Sequence, residues 1–399
     1  MRQYAKITPE GTKDYVFEEC EARGAAQAAL TGVFESHGYA PVMTPYLEYY
    51  DVFHRPSADW LTEKLYSVTD SRGRLLVMRP DNTLPIARVA SARLQYEDMP
   101  MRLYYHQSVF RRSRFYAGHS DEYLQCGVEL LGAQGLRADL EILQCAVDAL
   151  RACGVRNFRV ELGHAGFFKA LADTVSMSED LRAELIQCIE SKNCPALEEL
   201  LCRIGNTGET GALRALPRLF GGEETLKQAR ALCGLPAAHE ALDSLAALYD
   251  CLRALDLQEH VDIDLGLVHG QRYYTGFVFR GYIEGSGISV LSGGRYDALL
   301  AEFGRPAAAV GFAVALEPLA ELLLEQGKIP KRAPAEVMVF GAAGFEAAAL
   351  KHLRGLNEQG LRCEYAPFES LEQAAQYAKR KGIPRLDVMD AHGLSQSAV

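Results

Sequence analysis

The sequence predicts an α+β fold: a mostly antiparallel sheet with helices laid against it, followed by a small α/β domain. Three observations carry this. Strand-like runs occur before, between and after helical segments, without the steady strand–helix–strand rhythm that builds a parallel sheet. From about 167 to 258 the texture changes to short amphipathic helices, read as a helical insertion. A basic, proline-rich linker, KIPKRAPAE at 328–336, separates residues 1–327 from a last segment at 337–399.

The elements follow in chain order. FEECEARGAAQAALTGVFESH (17–37) has helical spacing, and Gly38 is its stop. YAPVMTPYLEYYDVF alternates like a strand, with Pro41 and Pro45 confining it to an edge. LLVMRPD (75–81) reads as a buried strand ending in polar groups. RLYYHQSVFRRS (102–113) and DEYLQCGVELLG (121–132) are two further strands around the loop RFYAGHS. In 136–152, Leu136, Leu140, Leu143, Val147 and Leu150 share one helical face. FRVELGH (158–164) is a strand. After the helical stretch, strands resume at VDIDLGLVHG, YYTGFVFRGYI and GISVLSGGRYD, and AAVGFAVALEPLAELLLEQG runs from strand into helix. The last segment reads β-α-β-α.

The bulk numbers set limits. With 399 residues, 48% hydrophobic and 24% charged, the chain can build two or three ordinary cores and is not a disordered polymer. A net charge of −10 argues against nucleic acid as the main partner, because neutralising phosphates takes clustered Lys and Arg. Ten cysteines lie scattered with no C-x-x-C pair and no zinc spacing, so reduced thiols and no metal are expected. The N-terminal stretch has no apolar signal region, and no run of about 18 apolar residues exists. A cytoplasmic protein without a membrane span is expected. No P-loop or Ser-His-Asp arrangement occurs, and no cofactor is expected.

EGTKD (10–14), GYAPVMTPYLE (38–48) and VFRRSRF…QCGVELLG (109–132) resemble the first two signature motifs of the histidyl-tRNA synthetase family, a class II aminoacyl-tRNA synthetase family. LVHGQRYYTG (267–276) is similar to its histidine-binding stretch, and SGGRYDALL with AVGFAVALEPL resembles its glycine-rich strand and third motif. The resemblance covers roughly residues 8–325. The segment after the linker resembles a shortened anticodon-binding domain. Several ordered motifs at matching spacing are more specific than any one of them.

What the resemblance implies is divided. Adenylation needs guanidinium groups on phosphate, because that group stays charged and offers a fixed fork of donors. Arg111 matches the second motif's arginine. The loop after it holds Gly118, His119, Ser120, Asp121 and Glu122, two of them acidic where phosphates would pass. The third motif, ordinarily Glu-Arg-Leu, reads Glu317-Pro318-Leu319. Proline suits a first helical turn but brings no charge. His269 stands where the family's histidine stretch has an arginine, so His269 and Pro318 are read as lost catalytic positions. No catalytic residue is expected.

The amino-acid side is kept. In Arg79-Pro80-Asp81-Asn82-Thr83, Asp81 and Thr83 match the element that holds the ligand's ammonium, and Gln125 matches a glutamine of the same site. Glu129, two alternations along, faces the same side as Gln125 and can accept from an imidazole N–H. Tyr273 and Tyr274 supply a phenol and a flat wall, and Arg111 suits the ligand's carboxylate. Taken singly, Asp81 could instead cap a helix, Gln125 and Glu129 could face solvent, and the tyrosines could be core edges. Cys126 points away from this face. His106 and His164 read as satisfied strand histidines.

A synthetase-like chain with this pattern is similar to the regulatory-subunit family of ATP phosphoribosyltransferase. That resemblance implies a hetero-octamer with a short-form catalytic subunit, activation of that partner, feedback by L-histidine, a self-dimer through about 24–45, and no tRNA charging. An active synthetase and a stand-alone histidine sensor remain the alternatives.

Overall fold

Alternation along DEYLQCGVELLG and its neighbours builds one large sheet. The computed structural model describes residues 4–56, 58–59, 62–112, 120–205, 209–268 and 273–399. Among these residues, nine strands run side by side: β1 (Ala40–Pro41), β2 (Met101–Phe110), β3 (Glu122–Leu131), β4 (Phe158–His164), β5 (Phe220–Gly221), β6 (Val261–Asp264), β7 (Phe277–Ile283), β8 (Leu291–Arg295) and β9 (Ala309–Ala315). Their order is β1-β2-β3-β9-β8-β7-β4-β6-β5. The β1–β2 and β4–β6 pairs are parallel and every other neighbouring pair is antiparallel. The α+β class with a mostly antiparallel sheet therefore holds.

Helices α1 (Glu18–Ser36), α2 (Thr83–Ala92) and α3 (Gly135–Ala152) precede the helical stretch, which comprises α4 (Ala165–Ala172), α5 (Glu179–Glu190), α6 (Cys194–Ile204), α7 (Thr210–Ala215), α8 (Glu224–Leu232) and α9 (Pro236–Ala254). Helix α10 (Leu316–Glu325) follows β9. Helices α1, α3 and α10 pack together. Phe34 of α1 meets Phe312 of β9 edge-on at 6.0 Å between ring centroids. On the other face, Leu84, Ile86 and Ala87 of α2 join Leu103, Tyr105, Tyr273 and Tyr296 in a separate apolar cluster. Burying the leucine and isoleucine side chains of that cluster stabilises by roughly 1.5–3 kcal/mol each, and Thr83 at the start of α2 bonds Glu129 of β3.

Three local expectations are corrected. The strand expected over 75–81 ends at Met78 and lies in a small three-stranded sheet with Leu47–Tyr49 and Ser67–Thr69, where only Val77 of its four residues is fully buried. Arg79 and Pro80 leave the strand to form the turn into α2. The stretch after Gly38 breaks into β1 and Leu47–Tyr49, because Pro41 and Pro45 supply no N–H for a continuous ladder. In α3 the buried face is Ala138, Ile142, Cys145, Ala146 and Ala149 with Leu143, Val147 and Leu150, while Leu136 is 37% exposed and Leu140 half-buried. Helices α1 and α9 and strands β8 and β9 all pack against α3, so it is buried over a wider arc than one leucine stripe.

The chain divides into two compact units between Lys328 and Ile329. The second holds β10 (Val337–Gly341), α11 (Glu346–Glu358), β11 (Cys363–Tyr365), α12 (Leu371–Lys381), β12 (Arg385–Asp390) and β13 (Gly393–Ala398). Its sheet order is β11-β10-β12-β13, with only β13 antiparallel to its neighbour. The expected β-α-β-α pattern thus continues into a closing hairpin. No helix among the described residues is long and apolar enough to cross a membrane.

Candidate functional site

Strand β3 carries the site. Its pleat sends Gln125, Gly127 and Glu129 to the α2 side and Cys126 to the other, where burial raises the Cys126 thiol. Glu129 is 1% exposed. It accepts hydrogen bonds from Thr83 Oγ1 at 2.8 Å and from the Tyr296 hydroxyl. Burial pushes its carboxyl up to about 8, against the pull of those two donors. The floor beneath is backbone. A Cβ at Gly127 would come within 2.6 Å of the Tyr105 hydroxyl, and one at Gly311 of β9 would reach 2.5 Å from the Val128 carbonyl and strike the Glu129 carboxylate.

The RPDNT turn brings a second set of groups. Arg79 is almost wholly buried. Its guanidinium donates to the carbonyls of Ser108 (2.8 Å), Thr44 (2.7 Å) and Pro45 (3.1 Å) and to Gln107 Oε1 (2.8 Å), and lies 4.6 Å over the Tyr46 ring. Burial lowers it to about 10, still charged at neutral pH. Arg79 thus ties the turn to β2. Asp81 follows. Its Oδ1 accepts the Leu84 N–H at 3.1 Å, so it does cap α2, and Tyr273 also bonds it. Burial raises the Asp81 carboxyl, opposed by Arg111, the Leu84 and Thr83 amides and Tyr273. Asn82 is fully buried and donates from Nδ2 to Gln125 Oε1 at 3.1 Å. Gln125 and Glu129 are buried, which removes the solvent-facing reading of both.

The tyrosines close the far side. The Tyr273 and Tyr274 rings lie 4.7 Å apart, and Tyr273 meets Tyr296 edge-on at 5.8 Å. Burial raises the phenols of Tyr105, Tyr273, Tyr274 and Tyr296, so all four stay as O–H groups at neutral pH. Arg111 Nε donates to the Pro80 carbonyl at 2.6 Å, and its charge acts on Asp81. Asp81, Thr83, Gln125, Glu129, Tyr273 and Tyr274 therefore converge on one cluster, with Arg111 at its edge. Such a set can hold a small zwitterion: carboxylates and an amide for an ammonium, a second carboxyl for a ring N–H, and phenols at the wall.

The nucleotide side differs. Pro318 lies in the first turn of α10. Glu317 beside it pairs with Arg23 of α1 and accepts the Leu124 N–H at 3.0 Å, so that motif is bound up in packing α1 and α10 on β3. Asp121 accepts from the Tyr66 hydroxyl, which pushes that phenol up to about 12. His269, Gly118 and His119 lie outside the described residues. His164 is satisfied: its Nδ1 accepts the Gly166 N–H at 3.1 Å, and burial lowers it to about 4. His106 corrects the expectation, because its buried Nδ1 has no hydrogen-bond partner among the described residues.

Asn82, Tyr296, Tyr105, Gln107 and Arg79 belong to the network but are not selected by the sequence reading. Asn82 was within reach, since it sits between two selected residues. Tyr296 was too, inside a stretch noticed for its glycines. Tyr105 and Gln107 share the alternation of β2, but nothing local says which face meets β3's carboxylate.

A profile described as histidyl-tRNA synthetase matches residues 11–319. The chain is 34% identical to the ATP phosphoribosyltransferase regulatory subunit of Clostridium kluyveri, over 97% of this chain and 100% of that one. It is 35% identical to the protein of the same name from Clostridium acetobutylicum, over 97% and 96%. Among solved structures it is similar, at a TM-score of 0.82 and 29% identity, to one described as an ATP phosphoribosyltransferase regulatory subunit/histidyl-tRNA synthetase from Bacillus halodurans C, covering 95% of this chain and 97% of that one.

Proposed function

From the premise that the chain belongs to the histidyl-tRNA synthetase family, in its branch of ATP phosphoribosyltransferase regulatory subunits, we propose that it assembles with a short-form ATP phosphoribosyltransferase catalytic subunit, raises its activity, and carries the feedback signal of L-histidine. The observation that supports this best is an asymmetry. The amino-acid-side groups form one buried hydrogen-bonded cluster, while position 318 holds a proline with no guanidinium to receive a phosphate.

In this reading histidine's ammonium meets Asp81 and Gln125, its ring N–H meets Glu129, Tyr273 and Tyr274 wall the ring, and Arg111 meets the carboxylate. The chain catalyses nothing and charges no tRNA. Histidine regulates by binding two states of the assembly with different affinity; a coupling of roughly 1–3 kcal/mol changes affinity by about 5- to 150-fold. Self-association of residues 24–45 about a two-fold axis, a hetero-octamer and a cytoplasmic location complete the reading.

The test is phosphoribosyl-ATP formation by the short-form catalytic subunit, with and without this chain, while histidine is titrated. Activity raised by the chain and lowered by histidine is expected. No effect of the chain on the rate overturns the reading. The synthetase profile over residues 11–319 favours a second reading, an active histidyl-tRNA synthetase. Histidine-dependent ATP–pyrophosphate exchange by the chain alone decides for it.

A further inference from the structure

We infer that Lys192, far from the pocket in sequence, is a positioning residue for the turn 264–268 that leads from β6 toward Tyr273 and Tyr274. The link to ligand binding rests on the functional reading above; the positioning itself does not.

Lys192 lies in the three-residue joint between α5 and α6. Its φ is +52°, a left-handed conformation that bulky residues avoid and glycine takes freely. The backbone around it makes an ordinary helix end: Lys192 N–H donates to the Ile189 carbonyl at 3.0 Å, Asn193 N–H to Cys188 at 2.9 Å, and the Asn193 side chain caps α6 through the Ala196 N–H. Nothing in that backbone calls for a lysine side chain. The side chain has its own destination. Its ammonium sits 2.9 Å from Asp264 Oδ2 and 4.7 Å over the Phe220 ring, and Phe220 is the residue opposite Asp264 in the β5–β6 pair.

Asp264 is a buried carboxylate at the last residue of β6. Its Oδ1 accepts the Gly266 N–H at 2.8 Å, and its own carbonyl accepts the Leu267 N–H at 3.2 Å. One carboxylate therefore divides between the turn it shapes and the cation from the helical stretch. Across the turn, Gly163 of β4 lies so close that a Cβ there would stand 2.8 Å from the Asp264 carbonyl and 2.9 Å from that of Leu267. The turn is held from β4 on one side and by Lys192 on the other. Tyr273, the next described residue after Val268, bonds Asp81 in the cluster. Without the ammonium, the buried Asp264 side chain keeps only the Gly266 amide among the described residues, and the turn keeps one tie to the helical stretch, the Leu265 N–H on the Leu219 carbonyl at 3.0 Å.

The experiment uses Lys192→Gly, which removes the cation while suiting the left-handed backbone, so the fold is not endangered, and Lys192→Arg, which keeps the charge. Hydrogen–deuterium exchange of peptides covering 264–274 is compared with peptides of β3, and L-histidine binding is measured by calorimetry. Faster exchange in 264–274 for Lys192→Gly alone, with β3 unchanged and a histidine Kd raised roughly threefold or more, is expected, and Lys192→Arg restores both. Unchanged exchange in Lys192→Gly overturns the positioning role. Faster exchange with unchanged histidine affinity overturns the link to the pocket. If the unmodified chain binds no histidine, the functional reading fails, while the exchange comparison still decides whether Lys192 holds the turn.

Discussion

Replacing Glu129 with glutamine changes how stability follows pH, by an amount the structure sets. Glu129 is buried against Thr83 and Tyr296, and burial carries its carboxyl from the usual 4.5 to about 8. Between those values the folded chain keeps a proton that the unfolded chain has released. A group raised in this way makes stability fall as pH climbs through the window. From pH 5.5 to 7.5 the loss is roughly 2–3 kcal/mol, from about 1.4 kcal/mol per pH unit less the part of Glu129 already ionised at the upper end. Glu129→Gln has no such proton, but keeps an acceptor for Thr83. Urea unfolding of the first unit, followed for both proteins at the two pH values, reads the difference directly. The wild type should lose roughly 2–3 kcal/mol relative to the variant on going to pH 7.5. Parallel behaviour would refute the assignment of a protonated carboxyl to the pocket.

Other outcomes follow from the same geometry. Gly311→Ala drives a methyl into the Glu129 carboxylate and the Val128 carbonyl, so the thermal midpoint should fall by the equivalent of about 1–3 kcal/mol. Tyr273→Phe removes the hydroxyl that bonds Asp81; histidine inhibition should weaken by roughly 2- to 10-fold while the assembly mass on gel filtration stays the same. In the second unit, Asp387 is fully buried and gathers Arg385 in a two-pronged pair and His352 at 2.7 Å. Burial alone would raise its carboxyl, but Arg385 and His352 hold it below the usual range. Its stabilisation is therefore present at neutral pH and lost as pH falls through that lowered value. Asp387→Asn should cost about 1.5–3 kcal/mol at pH 7, read by urea unfolding of the second unit.

How far the sequence could be read depends on whether a signal is local. The alternation of residues 122–131 separates Gln125 and Glu129 from Cys126, because a strand's period is two and residues two apart share a face. The first turn of α10 accommodates Pro318 for an equally local reason. The phase of α3 was harder, since leucines draw attention while the buried face also takes in Ala138, Cys145, Ala146 and Ala149. Least legible were the partners across long separations: Tyr296 on Glu129, Gln107 under Arg79, Lys192 on Asp264. Each is a polar residue whose meaning comes from an element more than 25 positions away.

The backbone floor at Gly127 and Gly311 puts a ceiling on what this pocket can become. A cavity lined by large side chains can be enlarged by trimming them. Here the strands already carry the smallest residue, and a Cβ would strike the Phe312 carbonyl and Tyr105 hydroxyl at Gly127, or the Glu129 carboxylate and Val128 carbonyl at Gly311, so any replacement displaces the groups around Glu129. Variation that admits a different guest must come from the walls, at Thr83 or the tyrosines. A saturation scan should find these two silent-looking glycines as intolerant as the carboxylates above them.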